Sequence, residues 1–255
     1  MKLLQKLLMV CVPLAALTAC GGGDTADRFD VADPAVRFVH AAPTAPTAPT
    51  APAVTLYRAS AAQPDATNVS YRFASNYFDV NLGVADWSVK SASGSTQIGS
   101  VSIDPQCGTK YTIVTLDTSA ATSGVYLITD PYNKPLTSDS AHLRLMNAAY
   151  NAGSVDIYMN TPGTNIAGVN PLIPATAIRS SGPEPGQDSV DIPGGTYQLT
   201  VMPAGTKTIL FRGQVSFASN QDLLLLAVPM TVAPGSIRML LKTEGAAGTT
   251  EVAPT

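Results

Sequence analysis

The chain has 255 residues, a net charge of −3, 13% charged and 45% apolar residues, and 20 glycines and 20 prolines. Its few basic residues are scattered and form no stripe that could track phosphates, which argues against nucleic acid as a partner. Three cysteines are too few for a disulfide-dense scaffold, so stability has to come from buried apolar surface, enough for one large or two small domains.

The N-terminus reads as an export signal over residues 1–19. Lys2 and Lys6 precede an apolar run from Leu7 to Leu14, and small residues follow before Cys20. The run is far short of the roughly 20 apolar residues a permanent membrane helix needs. Leu17-Thr18-Ala19-Cys20 resembles a bacterial lipobox. That resemblance implies a diacylglyceryl group on the Cys20 thiol and cleavage before it, so that membrane lipid is the first partner. Each buried methylene contributes about 0.8 kcal/mol, and more than one acyl chain anchors stably. Residues 20–34, opening on three glycines, read as a flexible tether. No aspartate follows Cys20, which favours the outer membrane, on its periplasmic side or at the cell surface. With Cys11 lost in the leader and Cys20 acylated, Cys107 is expected to remain alone.

From Val36 onward, short stretches of alternating apolar residues are separated by Gly, Pro, Asn, Asp and Ser, the pattern of an all-β protein. Val155 to Met159, Tyr197 to Val201 and Ile237 to Leu241 are examples, while the continuous run Leu223 to Val228 fits a strand covered on both sides.

The chain also matches itself. Val36-Arg37-Phe38-Val39-His40-Ala41-Ala42 parallels Leu143-Arg144-Leu145-Met146-Asn147-Ala148-Ala149, and Val54 to Tyr57 parallels Val155 to Tyr158. From Asp79 to Thr115 the match runs without a gap at an offset of 112. The first copy is longer between these motifs by two Ala-Pro-Thr triplets around Pro43 to Pro52, a stiff insertion that cannot join a ladder. The expected organisation is two tandem immunoglobulin-like or Greek-key β-sandwich domains, at 35–138 and 139–245, and a disordered tail at 246–255.

Arg37 to Pro43, and Ala141 to Ala149 followed by Ser154 to Tyr158, resemble the domain of unknown function family numbered 4397. Its members carry an Arg-x-x-His-Ala-Ser-Pro opening and a Val-Asp-Val-Tyr strand, often in tandem and in secreted or lipoprotein contexts. This chain has Asn147 where the family has His, Ala42 and Ala149 where it has Ser, and Thr55 where it has Asp. The resemblance implies no known activity.

No constellation for chemistry emerges. His40 and His142, the two histidines, do not fall on equivalent positions and have no partner at metal-ligand spacing. No G-x-S-x-G, S-x-x-K or phosphate-cradling glycine motif occurs. Asp79 and Asp191 match between copies, but a repeated position sets two carboxylates far apart. No cofactor, metal or catalytic activity is therefore expected. Exposed aromatics remain the candidate ligand contacts, with Tyr132, Tyr150 and Tyr158 foremost and Tyr57 beside them, whereas the match of Trp87 to Leu199 makes that ring core. The expectation is a non-catalytic envelope lipoprotein acting as a binding or adhesion module toward a polysaccharide, or alternatively a passive structural component contacting an envelope protein.

Overall fold

A computed structural model of the chain describes residues 33–43, 53–119, 122–131, 138–230 and 233–255. The expected signal peptide, Cys20, the Ala-Pro-Thr insertion from Thr44 on and Tyr132 lie outside these residues. Among the described residues there is no α-helix, and the chain is all-β.

The first half contains β1 (Ala35–His40), β2 (Val54–Arg58), β3 (Ala61–Ala62), β4 (Phe78–Asp79), β5 (Ala85–Ser91), β6 (Gln97–Ile103), β7 (Thr109–Asp117) and β8 (Ser123–Pro131). They form two sheets, β3-β2-β5-β6 and β4-β1-β7-β8. The second half contains β9 (Ser140–Asn147), β10 (Val155–Asn160), β11 (Ile173–Thr176), β12 (Ser180–Gly182), β13 (Val190–Pro193), β14 (Gly195–Pro203), β15 (Phe211–Phe217), β16 (Asp222–Pro229), β17 (Ile237–Thr243) and β18 (Thr250–Glu251). Its sheets are β11-β10-β14-β15 and β12-β9-β16-β17-β18, with β13 also on β9. In each half the opening strand pairs parallel with a late one, β1 with β7 and β9 with β16.

Three apolar clusters make this a four-layer stack. Val36, Phe38, Leu56, Trp87 and Ile113 fill the first sandwich, and Leu143, Leu145, Ile157, Leu199 and Leu225 fill the second. A third cluster joins the halves, with Val39, Val114, Leu116 and Ile128 of the first against Met146, Leu224, Leu226, Val228 and Leu240 of the second. The period of two along each strand explains the division: Leu223, Leu225 and Ala227 face their own core, while Leu224, Leu226 and Val228 face the other half. Each buried leucine contributes about 1.5–3 kcal/mol over an exposed one, so the two halves hold each other on an apolar face.

Backbone details recur between the halves. Asn68 and Ala175 have positive φ, as do Arg72 and Arg179. The amides of Arg72 and Arg179 donate to the carbonyls of His40 and Asn147, at 2.9 and 2.8 Å. Thr55 accepts from the Asn68 amide at 2.9 Å, and Asp156 accepts from the Ala175 amide at 2.7 Å and from the Gly205 amide at 2.9 Å. The departure from Asp at Thr55 thus exchanges a two-amide brace for a one-amide brace.

Two expectations are corrected. Residues 246–255 are ordered: β18 extends the sheet beside β17, Val252 is buried, and the Thr255 amide donates to the Arg212 carbonyl at 2.9 Å. The physical reason is that β17 would otherwise be an unpaired edge. Cys107, exposed in the turn between β6 and β7, is disulfide-bonded and not a lone thiol; Cys11 and Cys20 both lie outside the described residues. His40 is fully buried at the end of β1, edge-on to Tyr71 with centroids 6.4 Å apart.

Candidate functional site: an aromatic groove beside a charged interface

The interface between the halves changes character along its length. At the start of β1 and β9 it carries Arg37 and Arg144, each second in its strand motif and each turned away from its own core by strand alternation. Arg144, 3% exposed, donates through Nε and Nη2 to both Asp130 oxygens at 3.1 and 2.9 Å, a bidentate pair that crosses from half to half. Nη1 donates to the Pro183 and Glu184 carbonyls at 2.6 and 3.2 Å, and Nη2 also to the Gln187 carbonyl. The segment between β12 and β13 therefore wraps the guanidinium.

Arg37 is served differently. Its Nη2 donates to Thr112 Oγ1 at 3.1 Å, and its Cζ lies 4.5 Å from the Tyr77 ring centroid. Lys110, two residues before Thr112 on the same face of β7, places Nζ 4.8 Å from that same centroid. Tyr77 OH shares a 3.2 Å hydrogen bond with Thr112 Oγ1, and burial pushes its pKa up to about 12, against the lowering effect of Arg37. Arg37, Lys110, Arg144, His142, Asp130 and Asp222 surround a small cavity of about 30 Å³, with Tyr77 in its wall.

Tyr77 also belongs to a larger groove at the surface. Phe73, Asn76, Tyr77, Phe78 and Asp65 of the first half and Ala247 and Gly248 of the second line a volume of about 350 Å³. Backbone bonds from Gly248 to the Ala74 carbonyl at 3.2 Å and from Thr249 to the Arg72 carbonyl at 3.1 Å draw its walls together. Beneath it Lys242, fully buried, donates from Nζ to Asn76 Oδ1 at 3.2 Å and to the Ala246 carbonyl. Burial, then repulsion from Arg37, brings its pKa down to about 8. Half-buried rings beside an exposed Asn and Asp can stack on an apolar ligand face while hydrogen-bonding its edge.

The expected aromatic contacts are not gathered here. Tyr158 points away from its core as its strand position requires, but it is only 2% exposed. Lys207 Nζ lies 4.6 Å from its ring centroid, donates to its hydroxyl at 3.0 Å, and also holds the Ile166 and Val169 carbonyls at 3.2 Å. The connection between β10 and β11 is thereby clamped over it, which corrects Tyr158 as an open ligand contact. Tyr150 is half-buried in the turn after β9, and Trp87 is core. Tyr57, at the position equivalent to Tyr158, stays half-exposed with Lys90 Nζ 4.8 Å from its centroid. Sequence reasoning missed Phe73, Asn76 and Tyr77, for which the run Arg72-Phe73-Ala74-Ser75-Asn76-Tyr77-Phe78, dense in aromatics and outside any strand alternation, was the available signal.

Among the described residues no group of three or more His, Cys, Asp or Glu side chains is placed to hold a metal ion. No described helix is long and apolar enough to cross a membrane.

Comparison with known families places residues 34–158 in a match to the family described as Domain of unknown function (DUF4397). No curated protein matches the chain. Among solved structures, family 41 carbohydrate-binding modules from streptococcal virulence factors, described for alpha-glucan recognition, share 10% identity over 75% of this chain and 92% of theirs, with a TM-score of 0.22. The family 26 module from Eubacterium rectale Amy13K, solved with maltoheptaose, shares 10% identity over 87% of this chain and 98% of its own, with a TM-score of 0.24. Scores this low carry no argument about fold or ligand.

Proposed function

We propose that the protein is a non-catalytic binding module of the bacterial cell envelope, built from two tandem copies of the family domain and anchored to the outer membrane through acylated Cys20. The observation that carries the reading is the groove of about 350 Å³ whose rings, Phe73, Tyr77 and Phe78, stand beside Asn76 and Asp65. This combination suits a polysaccharide, whose sugar faces stack on rings and whose hydroxyls need side-chain partners. The test is retention of the purified protein on insoluble polysaccharides and cell-wall fractions. Retention of the wild type and its loss in Phe73→Ala support the reading; no retention on any fraction contradicts it.

The anchor has its own test. A sulfur in a thioether cannot also join a disulfide, so acylation of Cys20 requires that Cys107 be bonded elsewhere or reduced in the mature protein. Intact mass of the exported protein should carry a diacylglyceryl increment on the peptide starting at Cys20, and Cys20→Ala should move the protein to the soluble fraction. Continued membrane residence of that variant contradicts the anchor.

An assembly role is favoured by one further observation. β11 and β12 end their sheets side by side, with a groove of about 280 Å³ along them. Gly182 is needed there because a Cβ would collide with Thr176 and Ile173. Crosslinking in intact cells that captures no envelope protein contradicts this second reading.

A further inference from the structure

We propose that Lys242 is a positioning residue of the surface groove: by engaging Asn76 Oδ1 from beneath, it holds the side-chain amide with Nδ2 turned to the groove, where the ligand is read through an acceptor oxygen. Under the polysaccharide reading, on which this rests, the ligand must present a hydroxyl, ring or acetamido oxygen at that point beside its ring faces.

The twin position in the first half shows that packing alone does not call for a lysine. Thr112 and Leu224 match at the offset of 112, and they pair with Ile128 and Lys242 respectively. Ile128, 1% exposed, lies in the apolar cluster between the halves, and so does Leu240, on the same face of β17 as Lys242. An ammonium at 0% exposure thus stands where the other copy has an aliphatic chain. Burying a charge is costly, and apolar replacement of such a group is often neutral or stabilising. Burial, with repulsion from Arg37 added and attraction to Glu244 opposing, brings the Lys242 pKa down to about 8, which registers that cost.

Its hydrogen bonds supply the reason. Nζ donates to Asn76 Oδ1 at 3.2 Å and to the Ala246 carbonyl. An ammonium has donors and no acceptor, so the Asn76 atom it meets is the carbonyl oxygen and the amide nitrogen occupies the other branch. Asn76 is exposed, and its Nδ2 makes no hydrogen bond among the described residues. Two oriented N–H donors therefore stand in the groove wall, while the Asp65 carboxylate in the same lining accepts. Without the lysine, rotation about the terminal side-chain bond would exchange the two branches and present oxygen as readily as nitrogen. Ala246 adjoins Ala247 and Gly248 in the opposite wall, which gives Lys242 a second route to the groove that the experiment has to separate.

Depletion isotherms of the full chain on cellulose, chitin, insoluble starch and isolated cell-wall fractions are measured for the wild type, Lys242→Ile, Asn76→Ala and the double variant. On a fraction that retains the wild type, Lys242→Ile should melt no lower than the wild type at pH 7 yet bind about three- to tenfold more weakly, the loss of one oriented hydrogen bond. Asn76→Ala should weaken binding as much, and adding Lys242→Ile to it should change the Kd no further. Asn76→Asp keeps an oxygen for Lys242 but removes both donors. It should bind about threefold more weakly or worse with undiminished Tm, so the proposal stays testable if Lys242→Ile fails to fold. A wild-type Kd in Lys242→Ile or in Asn76→Asp overturns the proposal, as do additive losses in the double variant, which would assign Lys242 to the wall instead. No retention of the wild type on any fraction overturns the polysaccharide reading itself. The side-chain Nδ2 order parameter of Asn76 then still decides the positioning: a higher value in the wild type than in Lys242→Ile is expected, and equal values overturn it.

Discussion

Arg37 and Arg144 occupy the same place in two matching strands and face the same interface, yet they are treated differently. Arg144 has a bidentate carboxylate and three carbonyls around it, whereas Arg37 has one hydroxyl, one ring and an unpartnered Nε. The first is a finished structural clamp whose donors are fully engaged. The second keeps spare capacity beside the cavity and the groove. Divergence between the halves has left binding potential on one side and rigidity on the other.

The largest expected effect comes from breaking the finished clamp. Arg144→Met strands the Asp130 carboxylate and three carbonyls, and should lower unfolding stability by about 3–5 kcal/mol. Chemical denaturation checks this. Arg37→Met strands only the Thr112 hydroxyl and should lose no more than about 1–2 kcal/mol; equal losses at the two positions would erase the distinction.

The braces after β2 and β10 sharpen the comparison. Asp156→Ala frees two backbone amides and should be worse by about 1–2 kcal/mol than Thr55→Ala, which frees one.

Lys242 gives a pH signature. Its folded pKa of about 8 lies below its ordinary value of 10.5, so between these values the unfolded chain binds more protons and stability should rise with pH, by about 3 kcal/mol at most. Above pH 10 the gain should reverse, because burial raises the pKa values of Tyr71 and Tyr77 to about 12 and the folded state then holds more protons. Lys242→Met should flatten the rise. The smallest effect belongs to the half-exposed Arg72–Glu251 pair at 3.0 Å, whose removal should cost under about 1 kcal/mol.

Much of the fold was legible because it is written in short-range patterns. The alternation in Val155 to Met159 and the unbroken apolar run of Leu223 to Val228 give strands, and the latter also announces two covers. What covers the second face was not legible, since nothing local in Leu224 or Leu226 says that the partner is Val39 or Ile128 of the other half. The same limit hid the site. Arg37 and Arg144 read as strand markers because their partners lie as far as 75 residues away in sequence for Thr112 and 39 for Pro183. Tyr158 was placed on the correct face of its strand, but the clamp that covers it comes from Lys207, 49 residues on. The tail misled for a compositional reason: Gly, Ala and Thr from 245 to 250 resemble a linker, and only the exposed edge of β17 gives them a reason to order.

The most direct test of the central claim is a depletion isotherm on whichever polysaccharide fraction retains the wild type, measured in parallel for Phe73→Ala in the groove and Tyr57→Ala on the open face of the first half. Binding at the groove predicts at least a tenfold weaker Kd for Phe73→Ala and an unchanged one for Tyr57→Ala; the reverse order, or equal losses at both positions, would contradict it.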